Sequence, residues 1–155
     1  MMASREEKLR VLSRMAAAFN RAGLSWAVGA SLLLWFKGYV DDFHDIDLMV
    51  TNGDAEEMEG ILQSMGKLQP STRGSYATKR FREFTIDGVD VDMMGGYAIV
   101  RDGRVYDCEL EPSQVAEHAE VHGERIPLHS VSLWRRYYEL MGRTEKVAII
   151  DQKGI

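Results

Sequence analysis

The pair Asp-Gly occurs at 87–88 and again at 102–103, each time between short runs rich in strand-forming residues. Two-residue Asp-Gly links favour tight hairpins, because the turn needs positive φ at both central positions. The stretches "YATKRFREFTI", "VDVDMM", "AIVR" and "RVYDCEL" are therefore predicted to be short strands of a meander in an antiparallel or mixed portion of the sheet. A further hairpin is predicted across His122-Gly123 in "AEVHGERIPL". So many local strand pairings exclude an all-helical fold.

The first part of the chain has a different rhythm. Residues 4–22 are predicted to be helical: Ser4 and Glu7 have capping-box spacing, and Leu9, Val11, Leu12, Met15, Ala16 and Phe19 mark an apolar face that Gly23 can end. "LSWAV" (24–28) reads as a buried strand, followed by Gly29 and a short helix in "ASLLLWFKG". Asp45–Val50 is the next strand. A helix follows around 54–65, with Asn52 or Asp54 as its cap. Ser130 opens a last helix, "SVSLWRRYYELMGR", and a short helical tail is expected at 145–151. The expected class is α+β, a mixed sheet flanked by helices with C-terminal helices. At 155 residues the chain suits one domain spanning 1–155, with its core at about 24–110 and a C-terminal helical segment at about 130–151.

Composition narrows the function. A net charge of −5 argues against a broad nucleic-acid footprint, though it leaves room for a local phosphate site. The single cysteine, Cys108, can form no internal disulfide, and no Cys/His cluster has zinc spacing. A reducing cytoplasm is the expected location. No signal peptide is evident, and the apolar run "LSWAVGASLLLWF" is too short to span a bilayer.

The chemistry concentrates in "DDFHDIDLMV". In a strand, residues i and i+2 share a face, so Asp45 and Asp47 crowd two carboxylates together while Ile46 and Leu48 turn to the core. Held close, they need a raised pKa or a cation between them, and an all-oxygen donor set suits Mg²⁺. The plain alternative is an acidic loop and a solvated strand edge. In "IDGVDVDMMGG", Asp90 and Asp92 again alternate with apolar residues. If that strand lies beside Asp45–Val50, a third carboxylate joins the first two. Three carboxylates can hold two metal ions, which clamp the attacking and leaving oxygens of a displacement at phosphorus. Upstream, the "VGAS" turn joins a strand to a helix start, where backbone N–H groups favour an anion.

Gly29-x-Ser31, then Asp45-Ile46-Asp47-Leu48, then a later strand with Asp before apolar residues resembles the DNA polymerase β-like nucleotidyltransferase superfamily. The resemblance is greatest to its small stand-alone members, the minimal and lincosamide nucleotidyltransferase-like proteins. It runs from about Leu24 to Gly95, with a looser echo in "SLWRRYYELMGRTEKV". It implies a nucleotidyltransferase-like sheet and a nucleotide held at Gly29, Ala30 and Ser31. It also implies Mg²⁺, expected as two ions, on Asp45, Asp47 and Asp92, with Asp90 as the alternative third carboxylate. The implied reaction moves a nucleoside monophosphate from an NTP, expected to be ATP, to a hydroxyl of a small molecule or a protein. Ala30 stands where the family usually has glycine or serine next to Gly29, and "DDFH" replaces the arginine and small hydroxyl residue that often precede the Asp pair.

Lys79 and Arg80 are further candidates for balancing phosphate charge, as are Arg82 and Arg73 in "PSTRGS". Solvent-facing edge charges are the plainer reading of each. A competing function is an antitoxin-like or catalytically inactive binding module that docks on a small helical protein through the Trp- and Tyr-rich last helix. The chain has no evident accessory domain to grip an acceptor, so a partner chain or a homodimer interface is expected to complete the cleft.

Overall fold

The structure, a computed structural model, describes residues 3–70 and 77–154. Helix α1 (Arg5–Arg21) opens on the predicted capping box: Ser4 Oγ accepts the Glu7 N–H, and Glu7 returns the bond to the Ser4 N–H at 2.8 Å. Strand β1 (Trp26–Val28) and the short helix α2 (Ala30–Phe36) follow. Next come β2 (Ile46–Val50), a 3₁₀ turn at 52–54, and α3 (Ala55–Met65). Asp54 sits at the α3 cap position, but its carboxylate makes no cap bond; it accepts the Ser25 N–H at 2.8 Å, tying α3 to β1.

Strands β3 (Lys67–Leu68), β4 (Arg80–Ile86) and β5 (Val89–Gly95) come next, then β6 (Ala98–Arg101) and β7 (Arg104–Asp107). The chain continues with β8 (Glu117–Val121), β9 (Glu124–Leu128), α4 (Val131–Met141) and α5 (Thr144–Lys153). All three foreseen hairpins form. Asp87-Gly88, Asp102-Gly103 and His122-Gly123 each place both turn residues at positive φ.

Seven strands make a mixed sheet in the order β3-β4-β5-β2-β1-β9-β8. The expected continuous meander is interrupted: β6 and β7 leave the sheet and form a separate two-stranded ribbon. β2 runs antiparallel to β1 and parallel to β5.

Strand alternation divides the sheet into two unlike faces. One face carries Trp26, Val28, Ile46, Leu48, Val50, Phe84, Val91 and Met93, all buried. Helices α1 and α3 cover it; Phe19 of α1 meets Trp26 edge-on at 5.1 Å, and a Cβ at Gly95 would lie 2.6 Å from Ala55 of α3. The other face is open over β2 and β5 and is walled by α4. Trp134, Tyr137 and Tyr138 of α4 are buried in that wall. The aromatic helix proposed as a docking surface is thus spent on the protein's own interior. Among the described residues no helix is long and apolar enough to cross a membrane.

Candidate active site

The open face gathers the carboxylates. β2 and β5 lie side by side in parallel with Asp47 opposite Asp92, so both side chains leave the same face as nearest neighbours. β4 adds Glu83, the register partner of Asp92. A row of Glu83, Asp92 and Asp47 therefore crosses three adjacent strands, and Asp45 lies just ahead of β2. Asp45, Asp47 and Asp92 line one cleft of about 670 Å³, together with Ala30 and Ser31. Asp90, the alternative third carboxylate, is exposed and does not line it. His44 Nε2 stands 4.0 Å from Asp45 Oδ1 at the exposed rim.

The glycine turn borders the same cleft. Its Gly29 N–H donates to the Asp47 carbonyl at 3.1 Å, locking the turn to the carboxylate strand. Gly29 itself has an extended φ of −132°. The reason for glycine here is the α4 wall: a Cβ would overlap the Trp134 indole, within 2.6 Å of Cε2 and Nε1. Ala30 takes the left-handed conformation, with φ of 54°, an uncommon state for a residue with a Cβ.

Opposite the carboxylates stand basic groups that the sequence reading missed. Lys146 of α5 donates from Nζ to Ser31 Oγ at 3.2 Å, and Arg143 lines the cleft beside it. Burial, then the nearby Arg143 charge, holds the Lys146 pKa below its ordinary value. Ser31 also bonds the Tyr138 phenol, whose pKa burial pushes up to about 12. Tyr97 stacks on Trp134 with centroids 5.8 Å apart, and burial raises its pKa too. Both phenols stay protonated near neutrality. The only sequence-level sign of Lys146 and Arg143 was the loose echo in "SLWRRYYELMGRTEKV".

Arg80 is not brought to the cleft. It is opposite Gly95 in the register, on the helix-covered face, where Glu59 of α3 pairs with it at 3.0 Å and with Arg82 at 3.1 Å. Lys79 packs its stem by Gly96 and is not a lining residue. Arg73 lies outside the described residues. Of the two acids in "DDFH", Asp42 is met by α1: Arg5 Nε lies 3.4 Å from Asp42 Oδ1, and that oxygen also accepts the Phe43 N–H. The Phe43 amide, then Arg5 among the charges, hold the Asp42 pKa below the ordinary carboxylate value.

The donor set fits a hard divalent cation. Its side chains offer oxygen only. Beside Asp92, the buried Glu83 Oε1 has no hydrogen-bond partner among the described residues, an acceptor that a cation or its water would satisfy. Among the described residues no group of three or more His, Cys, Asp or Glu is already arranged to hold a metal ion.

The family model for aminoglycoside-2″-adenylyltransferase matches residues 11–153. A Thermotoga maritima protein, TM1012, titled a "putative nucleotidyltransferase", is 28% identical over 97% of this chain and 94% of its own, with a TM-score of 0.74. ANT(2″)-Ia in complex with adenylyl-2″-tobramycin aligns over 91% of this chain and 86% of its own at 15% identity and a TM-score of 0.60. An antigenic nucleotidyltransferase-like protein from Paracoccidioides brasiliensis covers 99% of this chain and 78% of its own, at 12% identity and a TM-score of 0.57. The last two bear on the fold alone. No curated protein matches the chain. The family match and the structural neighbours identify a nucleotidyltransferase of the DNA polymerase β-like superfamily. Within it, the chain belongs to the aminoglycoside-2″-adenylyltransferase family.

Proposed function

We propose that this protein transfers the adenylyl group of ATP to a hydroxyl of a cationic amino sugar of the aminoglycoside type, releasing pyrophosphate. The observation that carries the reading is the side-by-side placement of Asp47 and Asp92 in a cleft that also holds Asp45, Ser31 and Lys146. The acceptor class is supported by the family.

The acceptor hydroxyl gives its proton to Asp92, which acts as general base, and its oxygen forms a bond to the α-phosphorus. The bond from that phosphorus to the β-bridging oxygen breaks, and its electron pair leaves with pyrophosphate. Ser31 and Lys146 grip the departing phosphates, and Arg143 adds charge neutralisation. Asp45, Asp47 and Asp92 would hold Mg²⁺, which supplies charge neutralisation on the triphosphate when bound. Tyr97, which lines the cleft and stacks on the buried Trp134, offers its ring to the base.

The test is to incubate the protein with ATP, Mg²⁺ and a panel of aminoglycosides, and to follow pyrophosphate and acceptor mass. Adenylylated acceptor from the wild type and none from Asp47→Asn supports the reading. Pyrophosphate without acceptor product points to another hydroxyl, and neither product refutes it.

A further inference from the structure

We propose that Lys8 is a positioning residue for Asp45: from α1 it pins the backbone at Phe43 and so holds the carboxylate two residues further on at the cleft. The inference rests on the reading of Asp45 as a ligand of the transfer site.

The buried stripe of α1 runs at helical spacing through Val11, Leu12, Met15, Ala16 and Phe19. Lys8 continues that stripe one turn earlier, where an apolar side chain would ordinarily pack, and it is only 7% exposed. Burying an ammonium group is costly unless a good acceptor meets it. Here the acceptor is backbone: Lys8 Nζ donates to the Phe43 carbonyl at 2.8 Å and sits 5.3 Å over the Phe43 ring. Phe43 is itself buried against Trp35, 5.1 Å between centroids.

Arg5, one turn away on α1, secures the same stretch. Its Nη2 donates to the Asp41 carbonyl at 2.8 Å, and its guanidinium lies 5.7 Å over the Trp35 ring. Residues 41–45 belong to no helix or strand, so these bonds from α1 substitute for a ladder. The consequence differs for the two aspartates. Asp47 is held in β2 by its pairing with β5. Asp45 precedes the strand, so its backbone is set from two sides, by Ile46 in the ladder and by Phe43, which Lys8 holds.

Lys8→Met keeps an unbranched stem in an apolar stripe and removes only the ammonium group. The experiment measures Mn²⁺ binding in the presence of ATP by the paramagnetic resonance of free Mn²⁺, alongside peptide-level hydrogen exchange. The expected result is Mn²⁺ affinity weaker by about tenfold, with faster exchange at 41–45 and unchanged exchange at 46–50. Met15→Ala, which empties core volume on the same helix, is expected to lower the melting temperature and leave Mn²⁺ affinity as it was. Wild-type affinity in Lys8→Met, or acceleration spread equally through β2, overturns the proposal alone. A wild type that takes up no Mn²⁺ with ATP overturns the parent reading of the site, and this inference with it. An equal loss of Mn²⁺ affinity in Met15→Ala assigns the effect to general destabilisation and also overturns it.

Discussion

Asp47 of β2 and Asp92 of β5 are register partners across a parallel strand pair, so two carboxylates from segments 45 positions apart in the chain leave one sheet face side by side. Glu83 extends the row on the far side of Asp92. Like charges side by side are unfavourable in a sheet unless something compensates them.

Removing one member of the row should therefore separate activity from stability. Asp92→Asn is expected to lower kcat by roughly 10²–10⁴-fold, while the melting temperature stays level or rises because repulsion with Asp47 and Glu83 is relieved. A transfer assay paired with a thermal melt reads both. Activity and stability falling together would mean that Asp92 is structural.

Lys146 reaches Ser31 across the cleft, so the pair should govern nucleotide binding. Lys146→Met removes a charge-assisted bond to phosphate worth about 1.5–3 kcal/mol, or roughly 10- to 150-fold in the KM for ATP. Ser31→Ala should cost less, because a neutral donor is lost. Steady-state kinetics with varied ATP checks the order of the two effects.

Adjacent small residues in the turn should respond with opposite signs. Ala30→Gly relieves a left-handed alanine, φ 54°. Against the added entropy of the unfolded chain, a net gain of about 0.5–1 kcal/mol is expected. Gly29→Ala forces a methyl into the Trp134 indole and should destabilise by about 1–3 kcal/mol, as overpacking does. Chemical denaturation of the two variants gives both numbers.

His129 should make the fold acid-sensitive. It is 2% exposed. Its Nε2 meets Gln114 Oε1 at 2.9 Å, an oxygen that also accepts the Glu111 N–H, so Nε2 carries the proton. The buried Nδ1 has no partner among the described residues, and burial lowers the pKa to about 4. The unfolded chain, with an ordinary value near 6.5, binds the proton more readily between those limits, so stability rises with pH through that window and falls as pH drops. The full swing is about 3 kcal/mol. His129→Phe keeps a ring against Tyr137, leaves Gln114 bonded to Glu111, and should flatten the dependence between pH 4 and 6.5 in denaturant titrations.

Much of this was legible in the chain itself. The Asp-Gly and His-Gly turns pointed to the hairpins, since glycine and, among residues with a side chain, Asp and His accept the required positive φ more readily than most. The alternation in "IDLMV" and "VDVDMM" placed each aspartate opposite a buried apolar set. Hidden were the relations set by long-range packing. Arg80 could be either a phosphate-balancing group or an edge charge from sequence alone; with a period of two its neighbour Phe81 takes the cleft face and Arg80 turns to Glu59. Lys146 is separated from Ser31 by 115 positions, and no local pattern announces that meeting. Gly29 stands out in the sequence as part of an anion-favouring turn, but what demands glycine there is the Trp134 indole beside it.

The central claim is that the carboxylate row faces a bound nucleotide and drives its transfer. Isothermal titration of ATP with Mg²⁺ into the wild type and into a combined Asp45→Asn and Asp47→Asn variant tests it most directly. Binding by the wild type that disappears, or weakens at least tenfold, in the variant is the predicted result. Equal binding by both proteins, or none by the wild type, contradicts it.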